Sequence, residues 1–222
     1  MVLSIIKQNM PVPLKAKVRQ GIKFFKYHYR RIRIAFEVKQ QKSLKIIVGA
    51  AETFQPGWLS TNEQWLDITS AQDWQVVFQG QQLLTHVVAE HVFEHLTPQQ
   101  SLDALTLIHQ HLMSDGRIRI AVPDGYHPDP IYLKHVGIKG IGADAADHKQ
   151  LLNCDRLFDL LSQAGFSEIE LIEGYDINQQ LVLQQWSAQD GFIHRSRQNP
   201  NNHVWDFVDA NTSLIVDAVR SA

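Results

Sequence analysis

Apolar residues change period several times along this chain, and each change marks an element. Leu83, Leu84, Val87, Val88 and Ala89 form a dense run ending on the polar cluster Glu90, His91, Glu94 and His95, which reads as a buried strand entering a turn. Thr97-Pro98-Gln99-Gln100 then predicts a helix start, with Thr97 as N-cap, Pro98 at the first helical position and Gln100 closing a capping box. Leu102, Leu105, Ile108 and Leu112 recur at helical spacing, and Asp115-Gly116 predicts the stop. Ile118, Ile120, Ala121 and Val122 make a second buried run, ending on Pro123-Asp124. Strand, helix and strand in this order predict a parallel unit, whose working groups sit at strand carboxyl ends.

The pattern continues on both sides. Residues 44–50 predict a buried strand running into a small-residue turn, and residues 58–61 a short second strand. Leu66-Asp67-Ile68-Thr69 reads as a third short strand or a turn, and residues 71–82 as a polar stretch anchored by Trp74, Val76, Val77 and Phe78. Residues 125–149, rich in Gly and His, read as a long loop of the kind that is functional or disordered. Asn153 predicts a helix cap, with Leu157, Phe158, Leu160, Leu161 and Ala164 facing inward and Gly165 ending the helix. Residues 169–172 predict a strand, 179–208 mixed loop and turn, and 212–219 the last strand. Only residues 51–57 separate the first two strands, fewer than the roughly ten a parallel crossover requires. Either the first crossover helix is missing or the second strand lies elsewhere.

Composition sets the frame. With 222 residues, 44% of them hydrophobic, the chain suits one sizeable domain or a domain with an arm, divided here as 1–43 and 44–222. The single cysteine, Cys154, excludes an internal disulfide frame and a Cys-based zinc site. No apolar run approaches the roughly 20 residues of a membrane span, and the opening MVLSIIKQNM lacks a signal-peptide core, so a cytoplasmic location is expected. The net charge of −2 conceals an asymmetry: residues 1–44 carry eleven Lys/Arg and the single acid Glu37, leaving ten basic and 22 acidic residues downstream. In the arm, Leu14, Val18, Ile22, Phe25, Tyr29, Ile32 and Phe36 follow helical spacing, which predicts a basic amphipathic helix over about 14–40. That helix either docks on the body, where it would cover the face left bare by a missing crossover helix, or makes peripheral contact with an anionic membrane. Nucleic acid is disfavoured, because the acidic body repels phosphate.

Several motifs carry a resemblance. Val48-Gly49-Ala50-Ala51, Gly57-Trp58, Leu66-Asp67-Ile68-Thr69, AEHVFEHL (89–96), IRIAVPDG (118–125), YHPDP (126–130), GADAADHK (142–149), DGFIHRS (190–196) and TSLIVDA (212–218) stand in an order and spacing similar to class I S-adenosylmethionine-dependent methyltransferases. The subgroup often found among cell-surface glycan genes is the nearest, and the resemblance covers roughly residues 44–222. It implies an α/β, Rossmann-like seven-stranded sheet with an antiparallel last strand, here preceded by the basic helical arm, and S-adenosylmethionine as cofactor. It places Gly49, Ala50 and Ala51 in the turn approached by the methionine part, Asn62 where an Asp usually grips the ribose, Asp67 near the adenine, and Glu90 and His91 beside the methyl donor. Ala51 and Asn62 depart from the family's usual Gly and Asp, and Asn brings no charge.

Methyl transfer to a hydroxyl needs alignment and a base, for which histidine has a suitable pKa. His127, His91 and His148 are the candidates, with Asp124, Asp129 and Asp147 as orienters. The expected activity is methylation of an oxygen on a glycan or small metabolite. Two rivals stay open. One is a non-catalytic binding module on the same fold, with Ala51 and Asn62 as marks of weakened cofactor affinity. The other is a zinc hydrolase using His91, Glu94 and His95, which match the His-x-x-Glu-His spacing of inverted zinc peptidases. Trp186, Trp205 and Phe207, with His194 and Arg195, read either as a sugar-stacking surface or as a plug for the sheet edge.

Overall fold

A computed structural model describes residues 32, 34–36, 38–202 and 212–221. Its frame is one seven-stranded sheet made of β1 (Leu44–Val48), β2 (Leu59–Ser60), β3 (Leu84–Glu90), β4 (Leu112–Val122), β5 (Ser167–Tyr175), β6 (Leu181–Leu183) and β7 (Leu214–Val219). The spatial order is β2-β1-β3-β4-β7-β5-β6. Strands β2, β1, β3 and β4 run parallel, whereas β7 is antiparallel to both β4 and β5. The sheet therefore has the antiparallel last strand that the resemblance implies.

Strand periodicity separates two cores, because alternate residues face opposite sides. Ile46, Val48, Val87, Ala89, Ile120, Val122, Leu214 and Val216 join the larger core together with Trp74, Phe78, Leu105, Ile108, Leu157 and Leu161. These last six come from helices α1 (Ala71–Phe78), α2 (Pro98–His111) and α4 (Cys154–Gln163). The intervening residues Ile47, Val88, Ala121 and Ile215 meet Trp58, Ile172, Ile193 and Trp186 on the opposite face. Ile172 belongs to β5, and among the described residues the others, Trp58, Trp186 and Ile193, cover this face from loops rather than from a helix. Arg119, 2% exposed, fastens that loop: its guanidinium donates to both carboxylate oxygens of Asp217 at 2.7 and 2.6 Å and to the carbonyls of Ser187 and Gly191 at 3.0 and 2.7 Å. Trp186 lies 5.1 Å from this guanidinium and packs on the second core, so it acts as a plug; Trp205 and Phe207 fall outside the described residues.

The capping box forms as expected, with Thr97 Oγ1 accepting from the Gln100 N–H and Gln100 Oε1 from the Thr97 N–H. Other expectations need correction. Residues 71–78, expected as a polar stretch, are helix α1, capped by Ser70 and anchored by buried Trp74, Val77 and Phe78. Helix α2 ends at His111, before Asp115-Gly116, and β4 begins at Leu112. Asp115, at φ 60°, and Gly116 sit inside β4 where its register with β3 slips between Leu112 and Arg117. Residues 66–69 form no strand and turn at 68–69, the second of the two readings expected for them, and the seventh strand is β6, hairpinned on β5. The long segment after β4 contains α3 (Pro130–Val136), started by Asp129 as N-cap and Pro130.

No helix separates β1 from β2, which pair directly in parallel. Of the arm, only its helical end is described, and the rest of the expected 14–40 helix lies outside the described residues. Ile34 and Val38 are buried in the larger core, whereas Ile32 and Phe36, expected on the inner stripe, are 66% and 64% exposed. The inward face is thus rotated from the one the spacing suggested. Among the described residues no helix is long and apolar enough to cross a membrane.

Candidate functional site

The chain leaves β1 outward to β2 and returns to β3 on the other side of β1, which makes the β1/β3 boundary a topological switch point. Open α/β sheets bind ligands there, outside the strand carboxyl ends. A cleft of about 810 Å³ opens at that place, lined by residues 47–51, Glu90, His91, Glu94 and His95, and walled by residues of 135–148 with His194 and Arg195. Its size suits a small-molecule ligand.

The turn after β1 is closely fitted. Gly49 has φ 60°, and a Cβ there would lie 2.5 Å from Val92 Cγ2. Both the backbone conformation and the neighbour demand glycine. Ala51 also takes a left-handed conformation, φ 48°, held by Asn62, whose Oδ1 accepts the Ala51 N–H at 2.7 Å while Nδ2 donates to the Ala51 carbonyl at 3.3 Å. Asn62 thus braces the turn from behind and does not line the cleft. Nor does Asp67, whose Oδ1 accepts from the Thr69 N–H and hydroxyl within its own turn.

The turn after β3 supplies the polar floor. Glu90 accepts from the Arg195 N–H at 2.7 Å, the His194 N–H at 3.1 Å and His194 Nδ1 at 3.2 Å. Burial pushes its carboxyl pKa up, but these donors outweigh burial and hold it below the ordinary value. His194 in turn is raised, chiefly by its hydrogen bond to Glu90. His91, at φ 54°, places Nε2 3.0 Å from Ser213 Oγ and Nδ1 3.2 Å from the Arg195 guanidinium. A guanidinium can only donate, so Nδ1 accepts and Nε2 carries the proton toward Ser213. His148, buried, donates Nδ1–H to the Val136 carbonyl at 2.7 Å, which leaves its Nε2 with the lone pair.

Of the residues expected at the site, the fold gathers Gly49, Ala50, Ala51, Glu90, His91 and His148 around one cleft. His127 and Asp124 are elsewhere. His127 is buried, stacked on Tyr132 at 3.9 Å between ring centres, and its Nδ1 accepts the Asp129 N–H. Asp124 accepts from the N–H groups of Tyr126 and Tyr175 and so ties the end of β4 to β5; burial raises its pKa. In the grouping His91, Glu94, His95 expected for zinc, His91 Nδ1 does lie 3.0 Å from Glu94 Oε1, but the three residues whose ligand atoms all lie within 4.8 Å of one another are Glu94, His95 and His148. Arg195 and His194 reach the floor from more than a hundred residues away in sequence, a contact no local pattern announces.

No family model and no curated protein matches the sequence. Among solved structures, the fold is similar to a SAM-dependent methyltransferase from Archaeoglobus fulgidus, at 13% identity over 87% of this chain and 94% of that one, with a TM-score of 0.45. It is also similar to a possible histamine N-methyltransferase from Thermotoga maritima, at 10% identity, 92% and 96% coverage and a TM-score of 0.46. The methyltransferase SibL in its apo form aligns at 12% identity over 96% of this chain and 60% of its own length, with a TM-score of 0.48. What assigns the class I methyltransferase-like fold is the sheet itself: parallel strands turning about β1, with antiparallel β7 inserted between β4 and β5.

Proposed function

We propose that the cleft binds S-adenosylmethionine and that the chain transfers its methyl group to an oxygen of a small metabolite or glycan. The observation that carries this reading is the turn Gly49–Ala51 opening onto the cleft at the β1/β3 switch point, with a glycine whose left-handed backbone and contact with Val92 make any side chain costly. A turn of one glycine and two alanines has only small groups to keep a ligand from its backbone. Gly49, Ala50 and Ala51 would hold the methionine part, with Glu90 on the floor fixed by its own donors.

When bound, the cofactor supplies an electrophilic methyl on a sulfonium. The residues contribute alignment first, which is the larger effect, through a rigid floor of Glu90, His194 and Arg195. His91 serves as proton acceptor through Nδ1, the nitrogen now receiving the Arg195 N–H, while Ser213 orients the ring through Nε2. An acceptor hydroxyl would take the place of that N–H and pass its proton to Nδ1. A base so placed contributes about 10²–10⁴-fold.

A second reading, a non-catalytic binding module, is favoured by one observation: Asn62 is committed to Ala51, so the usual ribose grip is missing. Calorimetric titration with S-adenosylmethionine and S-adenosylhomocysteine decides between them. Micromolar binding by the wild type, lost in a folded Gly49→Ala variant, is the expected result. Silence from the wild type would overturn the enzyme reading.

A further inference from the structure

We propose that Glu94, His95 and His148 form a binding site for a divalent transition metal of zinc's class. One ligand atom from each lies within 4.8 Å of the other two, and all three residues line the cleft. The site stands independently of the methyl-transfer reading.

The strongest indication is Glu94. It is fully buried, yet neither carboxylate oxygen accepts a hydrogen bond. Its close neighbour is His91, whose Nδ1 lies 3.0 Å from Oε1 but outside hydrogen-bonding geometry, and that nitrogen already receives the Arg195 guanidinium. A buried carboxylate with no donor is costly unless a cation compensates it. The two imidazoles beside it can provide the rest of a cation's shell.

One of the two rings is already steered by an acceptor, and the other has one within reach. His148 donates Nδ1–H to the Val136 carbonyl, and Asp147 Oδ1 lies 3.1 Å from His95 Nδ1, a short rotation from a hydrogen bond. Outer partners of this kind fix the tautomer of metal-binding histidines and free Nε2 for the ion. The main chain holds the two segments together: the N–H groups of Lys149 and Gln150 donate to the Glu94 carbonyl at 2.8 and 3.3 Å. The Gln150 side chain donates to the Phe93 carbonyl and Ser101 Oγ, which locks the one-turn helix Phe93–His95 to α2.

Two imidazoles and one carboxylate select zinc-class ions over magnesium or calcium, which prefer all-oxygen shells. Ligand bonds near 2.1 Å in a tetrahedron put donor atoms roughly 3.4 Å apart, so small side-chain rotations close the site. A fourth position would face the cleft.

The test is calorimetry and thermal melting of the chelator-stripped full chain with Zn²⁺, and with Mg²⁺ as the counter-probe. Wild type is expected to bind one Zn²⁺ and to melt several degrees higher with it, with no response to Mg²⁺. Glu94→Gln and His148→Ala should each lose more than the roughly 10–100-fold in affinity that outer partners cost. His109→Ala, in the last turn of α2 against Phe166, should keep full affinity. Glu94→Gln should also raise the metal-free melting temperature, since it removes an uncompensated buried charge. This second readout separates loss of the site from loss of the fold. Wild type that binds no Zn²⁺ stoichiometrically, or Zn²⁺ binding unchanged in both variants, overturns the proposal.

Discussion

Asn62 grips both backbone groups of Ala51, accepting its N–H at 2.7 Å and donating to its carbonyl at 3.3 Å. An aspartate in its place keeps the acceptor and loses the donor, and the exposed Ala51 carbonyl can turn to water. Asn62→Asp should therefore cost no more than about 1 kcal/mol and should not tighten cofactor binding, because the side chain stays on Ala51. Asn62→Ala loses both bonds, about 1–2 kcal/mol, and should weaken S-adenosylhomocysteine binding by loosening the turn. Urea melts beside calorimetry measure both effects. Tighter binding by the aspartate variant would mean that position 62 reaches the ligand after all.

Gly49 combines a left-handed backbone with a wall formed by Val92. Gly49→Ala meets two penalties, about 1–2 kcal/mol for the conformation and about 1–3 kcal/mol for the overlap with Val92. Adding Val92→Ala should recover the overlap but leave the conformational part. A double-mutant cycle in urea is expected to show coupling between the two positions. Strict additivity would mean that Val92 moves aside freely.

Arg119 links Asp217 on β7 to the carbonyls of Ser187 and Gly191, just before the residues that cover Glu90. Arg119→Met leaves Asp217 and two carbonyls without their donor, and should cost about 3–5 kcal/mol. Arg119→Lys keeps the charge but not the fork, and should fall between that variant and wild type. Hydrogen exchange at residues 192–195 should quicken in the lysine variant, because their anchor is weakened. Unchanged exchange there would separate the cleft wall from the Arg119 anchor.

Much of the sheet was legible because its parallel strands are buried on both faces and so read as unbroken apolar runs, as at Ile46, Ile47 and Val48. The capping box at Thr97 was equally plain, being purely local. Helix α1 is hard to read from the sequence, because its eight residues turn inward only three apolar side chains, Trp74, Val77 and Phe78, beside the polar Asp73. At the site, the turn residues Gly49–Ala51 and the floor residues Glu90 and His91 follow strand ends and were found there. His127 looked equally placed, three residues past Asp124, but Tyr132 and Tyr175 pack around it and take it inside. The association of Glu94 and His95 with His148 needs the fold, since Lys149 returns to the Glu94 carbonyl from 55 residues further along the chain (149 − 94).

The contact between Glu90 and His194 should make the cleft wall sensitive to pH in both directions. Glu90 has a folded pKa below its ordinary 4.5: burial opposes this, but the donors of His194 and Arg195 prevail. Its stabilisation is therefore complete above about 4.5 and lost as pH falls through the lowered folded value. His194 has a folded pKa above its ordinary 6.5, chiefly because of the bond to Glu90. Its stabilisation is complete below about 6.5 and lost as pH rises through the raised folded value. The contact is strongest between those limits, and His194 is exposed enough for salt to weaken it. In Glu90→Gln the Arg195 N–H retains an acceptor, but the charge that holds His194 protonated is gone. The stability difference between wild type and this variant should therefore be larger at pH 5.5 than at pH 8, which cancels the contribution of the other histidines. Nuclear magnetic resonance titration of His194 should show its pKa falling in the variant to its ordinary value or lower, since only burial then acts on it. A stability difference that does not change between the two pH values would show that the backbone donors alone hold Glu90, and that His194 is a bystander at the cleft.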